Sequence, residues 1–200
     1  NEHNMIIDVS HLNEKSFYEV LKEQPKILIA SHSNAYALSD HIRNLKDEQL
    51  VALRDAGGMV GCVAARNFVS KNKEDQNING LVKQIKYLVN IMGIDKVMLG
   101  LDMMNYLSDF PNSNLDDLQT HADCSKIEQA LLDNGFNKED VEKITYKNYE
   151  NLKIELSSLD GKFYSTVKKS NNQNIIVSDD AFKFLEKYGL EVISLDKETL

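Results

Sequence analysis

Met5-Ile6-Ile7-Asp8-Val9-Ser10-His11 and Lys26-Ile27-Leu28-Ile29-Ala30-Ser31-His32 are two short runs, apolar almost without interruption, and each ends on a histidine. Runs of this kind, separated by a stretch of helical periodicity, are the pattern of buried parallel strands in a β/α fold, not the strict alternation of a half-exposed antiparallel sheet. In parallel β/α folds ligands gather at the carboxyl ends of the strands. Two imidazoles delivered to that rim by successive units are placed to share one metal ion.

Working outward, Glu14 to Leu21 sets Phe17, Val20 and Leu21 on one helical face, and Pro25 closes the segment before the second strand. After His32 a polar loop leads to Asn44, whose side chain is expected to cap a helix carrying Leu45, Leu50, Val51 and Leu53 until Gly57-Gly58 stops it. Met59 to Ala64 reads as a third strand. Leu81, Ile85, Leu88, Val89 and Met92, spaced by threes and fours, mark an amphipathic helix with Gly93 at its end. Lys96 to Asp102 is a fourth strand, and it brings a carboxylate, Asp102, to the rim of the histidines. Helices at 125–133 and 138–152 follow. Four strand-then-helix units predict an α/β fold that is half of an eight-fold (β/α)8 TIM barrel.

Beyond Leu152 the character changes. A lysine- and asparagine-rich stretch, Lys168 to Asn174, precedes a strand at Ile175–Ser178, a helix at Ala181–Tyr188 and a last strand at Leu190–Leu195. The polar insert is long for a connection inside a β/α unit, which places a boundary there and divides the chain into 1–153 and a β/α/β tail, 154–200.

The 200 residues are 42% hydrophobic and 27% charged, with a formal charge of −8. No cluster of lysine and arginine is dense enough to track a phosphate backbone, which argues against nucleic acid as the partner. Cys62 and Cys124 lie far apart without CxxC spacing, so they specify neither a disulfide framework nor a zinc knuckle and leave the compartment open. No apolar stretch approaches the roughly 20 residues of a membrane span. The opening Asn1-Glu2-His3-Asn4 is neither a signal peptide nor a Met-initiated terminus, so the chain reads as beginning within a longer protein.

Five motifs carry a family resemblance: Ile7-Asp8-Val9-Ser10-His11-Leu12, Ala30-Ser31-His32-Ser33-Asn34-Ala35, Asp40-His41-Ile42-Arg43-Asn44-Leu45, Gly57-Gly58-Met59-Val60-Gly61 and Gly100-Leu101-Asp102. In their order and spacing, over about Met5 to Leu152, the chain resembles the C-terminal half of the membrane (renal-type) dipeptidases, zinc peptidases of the amidohydrolase-like barrel class. The resemblance implies hydrolysis of dipeptides by metal-activated water. It makes His11 and His32 ligands of the second zinc of a binuclear site, Arg43 the group that binds the substrate carboxylate, and Asp102 the carboxylate that handles the proton of the attacking water. It favours a cytoplasmic dipeptidase and leaves room for a homodimer.

Members of that family also supply a His-x-Asp pair from the first barrel strand, a metal-bridging Glu and a substrate-polarising His, all upstream of the matched segment and absent from these 200 residues. The resemblance therefore implies a fragment inactive by itself. Asp102-Met103-Met104-Asn105 stands where the family often has Asp-Phe-Asp-Gly, and an aromatic residue is replaced around Ala64-Ala65, which bears on pocket shape. The tail, about 159–200, is similar to a second family, the solute-binding proteins of zinc and manganese ABC importers, through Ile176 to Leu185 and Lys187 to Leu195. Asp179 stands at the place of a metal-binding histidine there, and the alternative function is that of a metal-receptor fragment, which would lie outside the cytoplasm. Two incomplete families in one chain suggest a truncated or fused gene product, or a dipeptidase with a divergent C-terminal extension.

Plainer readings stand beside these. Arg43 can pair with Asp40 or Asp47 instead of a substrate. His41 reads as structural or exposed, and His121, Asp123 and Cys124 as surface residues, since alternate positions on a loop rarely converge. Asp179 and Asp180 suit the N-cap and first turn of a helix at least as well as a metal.

Overall fold

Four short strands, β1 (Ile6–Asp8), β2 (Ile27–Ala30), β3 (Met59–Cys62) and β4 (Val97–Leu99), lie side by side in the order in which the chain makes them. All three pairings are parallel, with Ile7 opposite Leu28, Ile29 opposite Met59 and Gly61 opposite Met98. The computed structural model describes residues 6–104, 112–170, 172–177 and 185–194. Between the strands run α1 (Glu14–Lys22), α2 (Asp47–Asp55), the single turn α3 (Arg66–Val69) and α4 (Ile78–Met92); α5 (Ser125–Asp133) and α6 (Lys138–Glu142) follow β4. This is the β/α alternation expected from the apolar runs.

The helices form where local chemistry starts and stops them. Asn13 caps α1 by accepting from the Ser16 N–H, with Glu14 in the first turn and Lys22 in the last. Asn77 caps α4 in the same way from Gly80 N–H, and Gly93, at φ +84°, ends it. α2 departs from expectation: it begins at Asp47 with Lys46 as its N-cap residue, three residues after Asn44. The Asn44 amide is buried and donates instead to the carbonyls of Ser39 and Phe68 at 2.8 Å each, so it ties a loop together and is not free to cap.

Leu81, Ile85 and Leu88 of α4, Leu50 and Leu53 of α2 and Phe17 of α1 are fully buried in one core with Leu28, Ala30, Val60, Cys62 and Val97 of the strands. Full burial stabilises each large side chain by about 1.5–3 kcal/mol, so cutting Ile85 to alanine would cost roughly 2–5 kcal/mol once the cavity is included.

The ladders continue past the strand ends and carry the site residues with them. Val9 N–H donates to Ile29 O at 2.8 Å, Ser33 N–H to Gly61 O at 2.8 Å, Gly100 N–H to Cys62 O at 3.0 Å and Ala64 N–H to Leu101 O at 3.0 Å. At this rim the backbones crowd. A Cβ on Gly61 would stand 2.0 Å from the Ser31 carbonyl oxygen, and one on Gly100 would stand 1.9 Å from the same atom. Only glycine lets β3 and the end of β4 close on that carbonyl.

The chain divides into two units between Asn151 and Leu152, within the helix α7 (Asn148–Lys169). That helix is the larger surprise, because a helix ending near Leu152 was expected and this one continues to Lys169. α6 passes through a π-helical turn, Lys143–Lys147, into α7, and no proline interrupts the run; Lys168 and Lys169 occupy its last turn, where cations are favoured. In the second unit β5 (Asn174–Val177) and β6 (Glu191–Ser194) pair in parallel, Ile175 opposite Val192, as the β/α/β reading required. Phe163 and Tyr188 meet edge to face at 4.6 Å. Of the helix expected between the strands, 185–188 form a short 3-10 turn, while 181–184 and Asp179 lie outside the described residues. Among the described residues no helix is long and apolar enough to cross a membrane.

Candidate active site

β1 and β2 are each followed closely by a Ser-His pair, Ser10-His11 and Ser31-His32, and the two pairs meet. His11 Nε2 and His32 Nε2 stand 2.9 Å apart, the rings inclined at 63°. Behind them Asp8, the last residue of β1, gathers four hydrogen bonds. Its Oδ1 accepts from the backbone N–H groups of Ser10 and Ser31 at 3.0 and 3.1 Å and from the Ser10 hydroxyl at 2.7 Å, and its Oδ2 accepts from the Ser31 hydroxyl at 2.5 Å. Ser31 Oγ also lies 2.6 Å from His32 Nδ1, and Ser10 Oγ accepts from the backbone N–H of His32 at 3.1 Å. Partial burial raises the Asp8 carboxyl, but the Ser31 and Ser10 hydroxyls and N–H groups outweigh it and hold the acid below its ordinary value. Burial lowers His32, with the charges of Arg43 and His11 adding to it and those of Asp102 and Asp8 opposing, so the neutral ring is favoured.

Arg43 approaches from the loop between β2 and α2. Its Nε donates to the Ser10 carbonyl at 3.2 Å and its guanidinium carbon lies 5.5 Å from the centre of the Phe68 ring, on which His41 also packs at 4.2 Å. Neither plainer pairing exists: Asp40 is bonded to Lys71, and Asp47 accepts from the Tyr87 hydroxyl at 2.8 Å. The Arg43 Nη2 is buried and has no hydrogen-bond partner among the described residues. Burial pulls the guanidinium down, and the negative charges of Asp102 and Asp8 counter it. Asp102 follows β4 on an exposed position at φ +48°, a left-handed conformation that Asp tolerates better than most residues, and its charge is felt at both His32 and Arg43. His11, His32, Arg43 and Asp102 are thus brought to one rim.

The loop that carries Arg43 is anchored in the core. The Asn34 amide donates to Val63 O at 2.9 Å and accepts from Val63 N–H at 3.0 Å and from the Cys62 thiol at 3.0 Å. Buried Gln84 of α4 accepts from Ala35 N–H at 3.0 Å and donates to Val69 O at 2.9 Å. His121 is exposed as expected, Asp123 is engaged at a helix start with Lys126 and with the N–H groups of Gln119 and Thr120, and Cys124, expected at the surface, is half-buried.

Asp8, Ser10 and Ser31 were not among the residues expected at the site. A signal existed, since serine precedes histidine in both runs and an acid sits inside an otherwise apolar strand.

The His pair fits half of a metal site. Two nitrogens about 2.0–2.1 Å from one tetrahedral zinc lie about 3.3–3.4 Å apart, a few tenths of an ångström wider than here. Among the described residues no group of three or more His, Cys, Asp or Glu side chains is gathered to complete such a set.

The sequence model of the family described as membrane dipeptidase (peptidase family M19) matches residues 1–154. An uncharacterized protein of the pqqA 5′ region of Klebsiella pneumoniae is 38% identical over 149 residues, covering 72% of this chain and 52% of that protein. The dipeptidase tcpJ of Claviceps purpurea is 31% identical over 144 residues, 72% of this chain and 33% of its own length. An uncharacterized dipeptidase of Schizosaccharomyces pombe aligns at 28% identity with 92% of the chain and 47% of its own length. Among solved structures, a metallo peptidase of Rhodobacter sphaeroides, liganded with a phosphinate mimic of the dipeptide L-Ala-D-Ala, superposes with a TM-score of 0.66 at 28% identity, over 74% of this chain and 42% of that one. The chain spans about half or less of the length of these relatives.

The tail's similarity to metal-importer solute-binding proteins finds no support. The alignment with the fission-yeast dipeptidase covers more of the chain than residues 1–154 and so enters the tail. The four β/α units have the α/β architecture of part of a metallopeptidase barrel. With three quarters of its length matched by the family model, this chain belongs to the membrane dipeptidase family, peptidase family M19.

Proposed function

We propose that the chain contributes part of the active site of a zinc-dependent dipeptidase, in which His11 and His32 hold metal, Arg43 binds the free carboxylate of the dipeptide and Asp102 handles the proton. Zinc held there would polarise the scissile carbonyl and acidify the attacking water. The observation that carries the reading is the buried Nη2 of Arg43. A guanidinium nitrogen removed from water without a partner is costly, and a ligand carboxylate beside the His pair supplies the missing acceptor in the geometry that arginine prefers. Nε stays anchored on Ser10 O while Nη2 faces the ligand, so the terminal carboxylate is held at a fixed distance from the histidines. Asp102, exposed and with its charge felt at His32, would accept a proton from the attacking water and return it to the leaving amine.

A dipeptide-sized substrate is in keeping with the mimic bound by the Rhodobacter sphaeroides relative. With two imidazoles and no third ligand gathered among the described residues, the 200-residue chain by itself is expected to bind zinc weakly and to show no turnover. The test is a zinc titration of the purified chain together with H11A and H32A, followed by a dipeptidase assay. Weak binding lost in both variants supports the reading. Zinc binding indifferent to both substitutions overturns the ligand assignment, and robust zinc-dependent turnover overturns the incomplete site.

A further inference from the structure

Ser31 Oγ has one proton and three hydrogen-bonding neighbours, Asp8 Oδ2 at 2.5 Å, His32 Nδ1 at 2.6 Å and, more distant, Ser10 Oγ at 3.2 Å. The Asp8 carboxylate can only accept, so the Ser31 proton must lie toward Asp8; otherwise two oxygen lone pairs would face each other at that distance. Ser31 Oγ is then an acceptor toward His32, which fixes the proton of that imidazole on Nδ1 and leaves the lone pair on Nε2, the atom that faces His11. Ser10 cannot disturb the assignment, because its own hydroxyl proton goes to Asp8 Oδ1 at 2.7 Å. The Ser31 backbone cannot drift, because its carbonyl is wedged between Gly61 and Gly100.

We propose that Asp8, acting through Ser31, is a positioning residue that presets His32 in the tautomer that binds metal, and that His11 is the member of the pair that must change tautomer for a metal to enter. Among the described residues His11 has no such relay. With the His32 Nε2 lone pair 2.9 Å away, His11 donates a proton from its own Nε2 in the metal-free chain. A metal shared by both rings needs the Nε2 lone pair of each, so binding moves the His11 proton to Nδ1 while His32 keeps its arrangement. The inference rests on the reading of the two histidines as metal ligands, but the relay itself exists without metal.

The geometry supplies an isosteric inversion. Oδ1 of Asp8 accepts from two backbone N–H groups, so in D8N the amide oxygen takes that place and the amide N–H group faces Ser31 Oγ. The Ser31 proton is then driven toward His32 Nδ1, and the His32 ring proton moves to Nε2.

The experiment is long-range nitrogen–proton correlation NMR of the imidazoles in the 200-residue chain, metal-free in chelator, for the wild type, D8N, S31A and S31T, followed by zinc affinity measured by chelator competition. The expected result is Nδ1–H for His32 and Nε2–H for His11 in the wild type, a reversed His32 tautomer in D8N, loss of the preference in S31A and its rescue in S31T. Zinc affinity should fall about 10- to 100-fold in D8N and S31A, with S31T close to wild type. His32 found as Nε2–H in the wild type, or unchanged in both D8N and S31A, overturns the relay. Tautomers that behave as stated while no variant binds zinc establish the relay and overturn instead the reading of the pair as metal ligands.

Discussion

The side chain of Asn34 pairs with the backbone of Val63 as a strand would, donating to its carbonyl at 2.9 Å and accepting from its N–H at 3.0 Å. One amide thus extends the hydrogen bonding of β3 by a residue and pins the first turn of the loop that carries Arg43. Asn34→Ala removes both partners from fully buried surroundings and is expected to cost roughly 2–4 kcal/mol, measured by urea denaturation. A loss below about 1 kcal/mol would mean that the loop is held by other bonds.

The wedge at the Ser31 carbonyl gives a contrast between glycines. Gly61→Ala or Gly100→Ala places a methyl about 2 Å from a backbone oxygen that cannot move aside, and each should destabilise by roughly 1–3 kcal/mol or more. Gly161→Ala, inside α7 with nothing near its absent Cβ, should stabilise by about 0.5–1 kcal/mol. Thermal denaturation of the three variants side by side reads both signs, and equal effects would show that the rim tolerates a methyl.

Arg43 separates stability from binding. Arg43→Met forfeits one hydrogen bond to Ser10 but removes a buried nitrogen with no partner, so stability should change by less than about 1 kcal/mol. Binding of a dipeptide phosphinate to the zinc-loaded chain should fall at least tenfold by calorimetry. Severe unfolding of this variant would make Arg43 a structural residue.

Asp8 predicts an acid limb. Its carboxyl is held below the ordinary 3.8 in the folded chain, so it contributes stability that is fully present above that pH and is lost as pH falls through the lower folded value. Groups common to both proteins cancel in the comparison with D8N. The stability gap between wild type and D8N should therefore be widest at neutral pH and close below pH 3.8, as read by denaturant titrations across the acid range; a gap independent of pH would show that the carboxylate is not stabilised by its four hydrogen bonds.

The strands and their order were legible because Ile6-Ile7, Ile27 to Ala30, Met59 to Cys62 and Val97 to Leu99 are apolar runs that no charged residue interrupts, and the convergence of His11 with His32 follows once those strands are parallel neighbours. Asn44 was misread because an asparagine before an amphipathic stretch has the look of a cap, and nothing local announces that its amide is used by Ser39 and Phe68, the latter 24 residues away. Asp8, Ser10 and Ser31 escaped notice for a related reason: their value lies in contacts across 21 to 23 residues, which exist only after β1 and β2 have paired. The run of α7 past Leu152 was hidden by a composition rich in serine and lysine, which are compatible with a helix without demanding one.

Cys62, whose thiol donates to Asn34, is completely buried and pushed far up from its usual range by that burial, while Cys124 is half-buried and raised by the same cause together with the charge of Asp123. The two sulfurs therefore form a built-in clock. A thiol reagent added to the folded chain should consume one equivalent at Cys124 and then wait, because the second equivalent is admitted only when the inner end of β3 opens. The delay between the two modifications measures how often the end of β3 and the Asn34 turn bonded to it come apart.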